Sequence, residues 1–352
     1  MKPKFVFASK LRLQTSSSRR PLAARIATLA SLAFASLGQA APFYWTGDNN
    51  SLWNTTGGAN GTNWSSSGDF NNGTGGLPSA ADDVFFNLAG AGNLSNQLGA
   101  NFSIRSLTFT PDAASSVTIG GANTLTLGTG GLTNNSIAAN SIAAAVTLGV
   151  NQTWSNNTAT PVTVSGAVAG AGVNLTFGGA GAFNFTGANS YSGSTSLGSN
   201  GTTLSLKGAT GTLATSSISL EGGTSLNLDN TAGNNADRIG NSIAISSRGA
   251  TIALKGSSAT ETLGALTLPT GTTRVSVDAG SVLTLSSLTR SAGGTINFSS
   301  TGTSNLSTST LTNGILGAYA TLGNVGSLQQ DAAGPNLQIG RASCRERVYL
   351  AG

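Results

Sequence analysis

Through most of this 352-residue chain the apolar residues come in pairs that flank one polar residue, and Gly, Asn and Ser fence each triplet. Phe183-Asn184-Phe185 and Leu204-Ser205-Leu206 show the form within 178–208, the unit around which the rest is organised. Alternation with a period of two over so few residues predicts very short strands with one buried face. The fencing residues tolerate positive φ or bond their own backbone, so the chain turns after each strand. A strand of three to five residues is not stable alone and needs a like neighbour above and below it.

The triplets recur along the chain. They include Phe102-Ser103-Ile104, Val117-Thr118-Ile119, Leu125-Thr126-Leu127, Leu175-Thr176-Phe177, Leu226-Asn227-Leu228, Leu266-Thr267-Leu268 and Ile296-Asn297-Phe298. Spacings of about eight to twelve residues between neighbours fit a sandwich or a solenoid. Uniformly short strands, a Thr, Ser or Asn in the middle position, and an unchanging pattern favour the solenoid. The expected fold is all-β: a right-handed parallel β-helix (β-solenoid) over 101–338, with a Trp-rich N-terminal cap over 41–100. At roughly 20 to 25 residues per rung and about 4.8 Å between strands, about ten rungs would reach some 50 Å. Ser136–Ala145 is the one segment with helical composition, but the neighbouring Leu132 and Val146-Thr147-Leu148 favour a turn and a strand.

Composition sharpens this expectation. Only 8% of residues are charged and 49 are Gly, which is far from ordinary globular usage. A disordered chain would be richer in charge and poorer in the aliphatic residues that bring this one to 38% hydrophobic. Seven of the 17 basic residues fall in the first forty, followed by the apolar run 26–37 and then Gly38-Gln39-Ala40. That is the layout of a secretory signal peptide over 1–40. Beyond it, no apolar run approaches the roughly 20 residues of a spanning helix, so no membrane span is expected in the mature chain. Residues 41–339 hold seven basic and eleven acidic residues. The overall charge of +5 therefore comes from the two ends, and no basic stripe points to nucleic acid. Residues 339–352 break the pattern with clustered arginines and the one cysteine, Cys344. They read as an atypical tail foreign to the solenoid, with a continuation of the natural chain expected in their place.

The segment Gly179–Leu197 resembles the autotransporter-associated β-strand repeat. The motif residues are Thr186, Gly187, Ala188, Asn189, Tyr191, Gly193 and Thr195. The resemblance implies a passenger-type β-helix in a bacterial exported protein. The region Pro42–Asn87, with Trp45, Trp53, Trp64 and the Asp82-Asp83 pair before an apolar strand, resembles the Trp-rich lead-in ahead of such repeats. Solenoids need an end piece that hides the first rung, and bulky tryptophans suit that role. Two functional readings stand beside the cap. Exposed Trp45, Trp53 and Trp64 would make a sugar-stacking platform, and Asp48, Asp69, Asp82 and Asp83 would gather around a hard cation.

The chain has no histidine, which removes Ser-His and Cys-His pairs, the usual zinc sites and the commonest general base. No nucleophile elbow, phosphate loop or dinucleotide fingerprint is present. Gly178–Phe183 begins like a calcium-binding nonapeptide but has Phe183 where the liganding Asp is required. Acids are sparse, and the longer insert Asp229–Arg238 is the best candidate for a protruding loop, read as a solvated turn with a local Asp237–Arg238 ion pair. The expectation is a non-enzymatic, cofactor-free, exported structural or adhesive surface protein. Its expected partners are extracellular polysaccharide or other surface proteins. The alternative is a polysaccharide-active or carbohydrate-binding β-helix protein.

Overall fold

The computed structural model describes residues 40–67, 76–86, 90–112, 115–198, 201–299, 301–308, 319–324 and 328–330. The expected signal peptide and the tail 339–352 lie outside them, apart from Ala40. The described chain is all-β, a parallel β-solenoid, and none of the described residues is in a helix, so none forms one long and apolar enough to cross a membrane. That statement does not bear on β-barrels.

Each turn makes three runs. On face A, Pro42–Trp45 pairs in parallel with Asp83–Phe86, which pairs with the second half of Phe102–Phe109, and the order continues through the second half of Thr124–Asn134, then Gln152–Asn156, Leu175–Gly178, Thr195–Leu197, Ser217–Leu220 and Ala244–Ser247. Face B is an 11-stranded parallel sheet from Ser95–Gln97 to Ala320–Asn324. Face C holds short runs such as Phe102–Ile104, Ala145–Leu148, Val168–Ala169 and the pair Ala188–Asn189 with Thr212–Leu213. Register partners on face A are 20 residues apart at Phe177 and Leu197 and 27 apart at Leu220 and Ser247.

The alternation works as the triplets predict. Leu175 and Phe177 are fully buried while Thr176 between them is half-exposed, and the same holds for Phe183 and Phe185 around Asn184. Stacking places like on like: Phe183 over Leu204 over Leu226 over Ile252 on face B. Each such side chain removed from water stabilises the stack by about 1.5–3 kcal/mol, and the contacts that matter are with the adjacent rungs. Ser136–Ala145 forms a turn, the strand Ser141–Ile142 and the start of Ala145–Leu148, with no helix.

The N-terminal region is not set apart from the coil. Pro42–Trp45 and Asp83–Phe86 are themselves strands of face A, so the stack begins at Pro42 rather than near residue 101. What caps it is the antiparallel strand Trp64–Ser65, which lies on the outer edge of Pro42–Trp45, together with the aromatic cluster beneath it.

Candidate functional site

Trp45, Trp53 and Trp64 are completely buried, which corrects the sugar-platform reading. Their rings pack on one another, with Trp45 to Trp64 at 5.0 Å and Trp53 to Trp64 at 4.9 Å between centroids, both edge to face. Phe86 and Phe102 close the cluster. Each indole N–H is used internally: Trp45 donates to the Gly92 carbonyl (3.0 Å), Trp53 to Asn96 Oδ1 (2.8 Å) and Trp64 to the Trp53 carbonyl (2.9 Å). A sugar needs a free ring face, and none is left.

Of the acids expected to gather around a cation, Asp82 and Asp83 are separately engaged. Asp82 accepts from the backbone and hydroxyl of Ser79, while Asp83 pairs with Arg105 and Ser106 across the next rung. Asp48 is exposed, and Asp69 lies outside the described residues. Among the described residues no group of three or more potential ligands is placed to hold a metal.

The family-like motif is a corner device. Asn189 is buried: its Oδ1 accepts the Val168 N–H (3.2 Å) and its Nδ2 donates to the Gly187 and Thr212 carbonyls (both 2.8 Å), tying three rungs together. Tyr191 is fully buried with its hydroxyl 2.8 Å from Thr195 Oγ1, which in turn donates to Thr215 Oγ1 at 2.9 Å. Burial is what pushes the Tyr191 pKa up. A Cβ at Gly193 would collide with the Val173 carbonyl, so only glycine lets the rungs approach there. Asn189, Tyr191, Gly193 and Thr195 are buried and build the coil, while Ala188 is exposed and Thr186 half-exposed.

Two outward features remain. The first is a column on face A, in which Thr153, Thr176, Ser196, Ser219, Ser246, Thr267 and Thr289 stand in successive register. Thr267 and Thr289 share a hydroxyl bond of 3.1 Å, and on face B Thr118 and Ser141 do the same at 2.9 Å. No charged side chain interrupts the face A column.

The second feature lies at the insert Asp229–Arg238, which does not end in a solvated ion pair. Arg238 is fully buried. Its Nη1 donates to the Gly211 carbonyl (2.8 Å), its Nε donates to Asn230 Oδ1 (3.1 Å), and its Nη2 lies 2.7–2.9 Å from the carbonyls of Gly208, Asp229 and Gly233. The guanidinium thus satisfies backbone groups that the interrupted ladder leaves open. On the next rung Glu261 is 2% exposed and accepts the N–H groups of Arg238 (2.9 Å) and Ile239 (3.2 Å). A carboxylate stands here where a regular rung would offer carbonyls. Burial raises its pKa to about 7, and the two N–H bonds and Arg238 oppose the rise while Asp237 adds to it. Burial lowers the pKa of Arg238, opposed by Glu261 and Asp229. For Asp229 burial acts upward, yet the bonds from Thr231 and the nearby Lys207, 3.2 Å away, carry its pKa below the usual value.

Where face C narrows to the single bridge between Leu213 and Ile239, a cleft of about 580 Å³ opens. Ser192, Thr212, Ser216, Asp237 and Ile243 line it. The position of Glu261 was open to sequence reasoning, because alternation with Leu263 puts it on the inner side. The inward turn of Arg238 had no such signal. Comparison with protein-family models, curated proteins and solved structures gives no match for this chain.

Proposed function

We propose that this chain is an exported, non-enzymatic structural protein whose solenoid presents hydroxyl and amide columns for adhesion or matrix interaction at the cell surface. The observation that carries the reading is the unbroken seven-rung Thr/Ser column on face A. A flat, uncharged, periodic array of donors and acceptors suits many weak contacts with another repetitive surface, where multivalency rather than one deep pocket supplies affinity. The signal-like first forty residues, and the resemblance of Gly179–Leu197 to the autotransporter-associated repeat, support export. The dispersal of Asp82, Asp83, Asp229 and Glu261 into separate local hydrogen bonds supports a non-catalytic role.

The test is expression with the native leader in a Gram-negative host, followed by fractionation and adhesion of the cells to a polysaccharide-coated surface. The expected result is protein outside the cytoplasm and a several-fold gain in adhesion, lost when Thr176, Ser219 and Thr267 are each replaced by Lys. Retention in the cytoplasm, or adhesion unaffected by the three lysines, would overturn the reading.

A further inference from the structure

We infer that the cleft beside the insert is a binding subsite for a neutral or amino-bearing glycan. It goes beyond the adhesive role of the flat faces and stands on different residues.

The cleft exists because the coil is interrupted. On face C the register runs from Thr212–Leu213 to a lone bridge at Ile239, 26 residues after Leu213, and after the face B strand Ser225–Asp229 the chain loops through 230–237. The missing strand leaves a recess with fixed walls. One wall is the rung of Thr212–Ser216, and the other is Asp237 to Ile243, held by the Arg238 and Glu261 bonds already described. Its volume falls in the range of small-molecule sites, and its walls are pinned before any ligand arrives.

The lining selects the chemistry. Ser192 and Ser216 are exposed and Thr212 half-exposed, so three hydroxyl-bearing residues line one space; the Ser192 Oγ already accepts the Gly172 N–H (2.9 Å) and keeps its own proton to donate. Ala214 and Ile243 add aliphatic surface for the C–H side of a pyranose. Asp237 is exposed and contributes a carboxylate, the group best suited to accept from two neighbouring sugar hydroxyls or from an ammonium. The cation at the cleft, Arg238, is fully buried with its guanidinium on backbone carbonyls and Asn230. The electrostatic balance therefore favours neutral or cationic sugars and opposes uronates.

The experiment is calorimetric titration of the full chain with short chitosan, cellulose and polygalacturonate oligosaccharides. Two variants accompany the wild type. Asp237→Asn removes the carboxylate, and Ala214→Trp fills the recess from an exposed position; circular dichroism confirms that both fold. The expected result is binding of chitosan or cellulose oligosaccharide, weakened about tenfold by D237N and abolished by A214W, a loss of about 1.4 kcal/mol for the first. Equal or tighter binding of polygalacturonate would overturn the assigned charge. Binding unchanged in both variants would overturn the assigned place, and absence of binding to all three would overturn the proposal. None of these outcomes bears on cell adhesion through face A, so the two readings fail separately.

Discussion

The rungs around the family-like motif and the rung of the insert solve the same problem with opposite chemistry. At 175–220 the repeat is near its usual length, and the interior is closed by Leu, Phe and Tyr191 with neutral bonds from Asn189 and Thr195. Between Leu220 and Ser247 the repeat lengthens to 27 residues, and the backbone groups left open are met by buried Arg238 and Glu261. At the insert the coil accommodates its extra residues with side chains that replace the lost ladder bonds. A long charged side chain reaches further than an amide, and its cost is a titratable group in the core.

The largest expected effect comes from Arg238→Ala, which leaves the carbonyls of Gly208, Gly211, Asp229 and Gly233 without their donor in the core, while Glu261 keeps the main-chain N–H groups of residues 238 and 239. Denaturant unfolding should show a loss of several kcal/mol, at about 1–3 kcal/mol for each buried carbonyl left without a donor. Hydrogen exchange should show lost protection in 229–239 while 175–197 stays protected. Because Arg238 bonds carbonyls rather than a carboxylate, adding Glu261→Leu to the variant should give no rescue. Restoration of stability would show that charge pairing holds the insert.

Acidity separates the two regions next. Glu261 has a folded pKa near 7, above its unfolded value, so its stabilising contribution is full below the ordinary carboxylate range. It declines as pH rises from about 4.5 towards 7 and is gone above that. Thermal melts should therefore show the wild type more stable at pH 5 than at pH 8 by on the order of 3 kcal/mol from this group, and Glu261→Gln should flatten the difference. An unchanged slope in that variant would place the titrating group elsewhere.

In the regular rungs the effects should be smaller. Tyr191→Phe removes one buried hydroxyl bond and should cost about 0.5–1.5 kcal/mol, with no change in pH dependence. Lys207→Ala removes a partly exposed partner of Asp229 and should cost less than about 1 kcal/mol, less still in high salt.

These contrasts also explain what could be read in advance. The alternating triplets specify both the buried face and the short strand, so the all-β coil and the non-helical Ser136–Ala145 were legible from residue type alone. The tryptophans were legible as an end piece but not in their exposure, because Trp serves equally in a core or on a surface. Their burial follows from the extra strand Trp64–Ser65 and from Phe86 and Phe102, which are distant in sequence. The face A strands Pro42–Trp45 and Asp83–Phe86 inside the Trp-rich region leave a weaker mark in the sequence, because Phe43 and Trp45 flank Tyr44 rather than the Thr, Ser or Asn of the later triplets. Arg238 stayed hidden because its partners are main-chain carbonyls of glycines up to 30 residues away, which leave no mark on side-chain pattern.

The central claim is that residues one turn apart stack in register along face A. It is tested most directly by spin-label distances from Thr153 to Ser219, Thr267 and Thr289 in a Cys344→Ser background. These positions lie three, five and six rungs apart. The account predicts backbone separations of about 14, 24 and 29 Å, one strand spacing per rung, each with a narrow distribution. Distances that do not rise by rung, or a pair at 153 and 289 closer than the pair at 153 and 219, would contradict it.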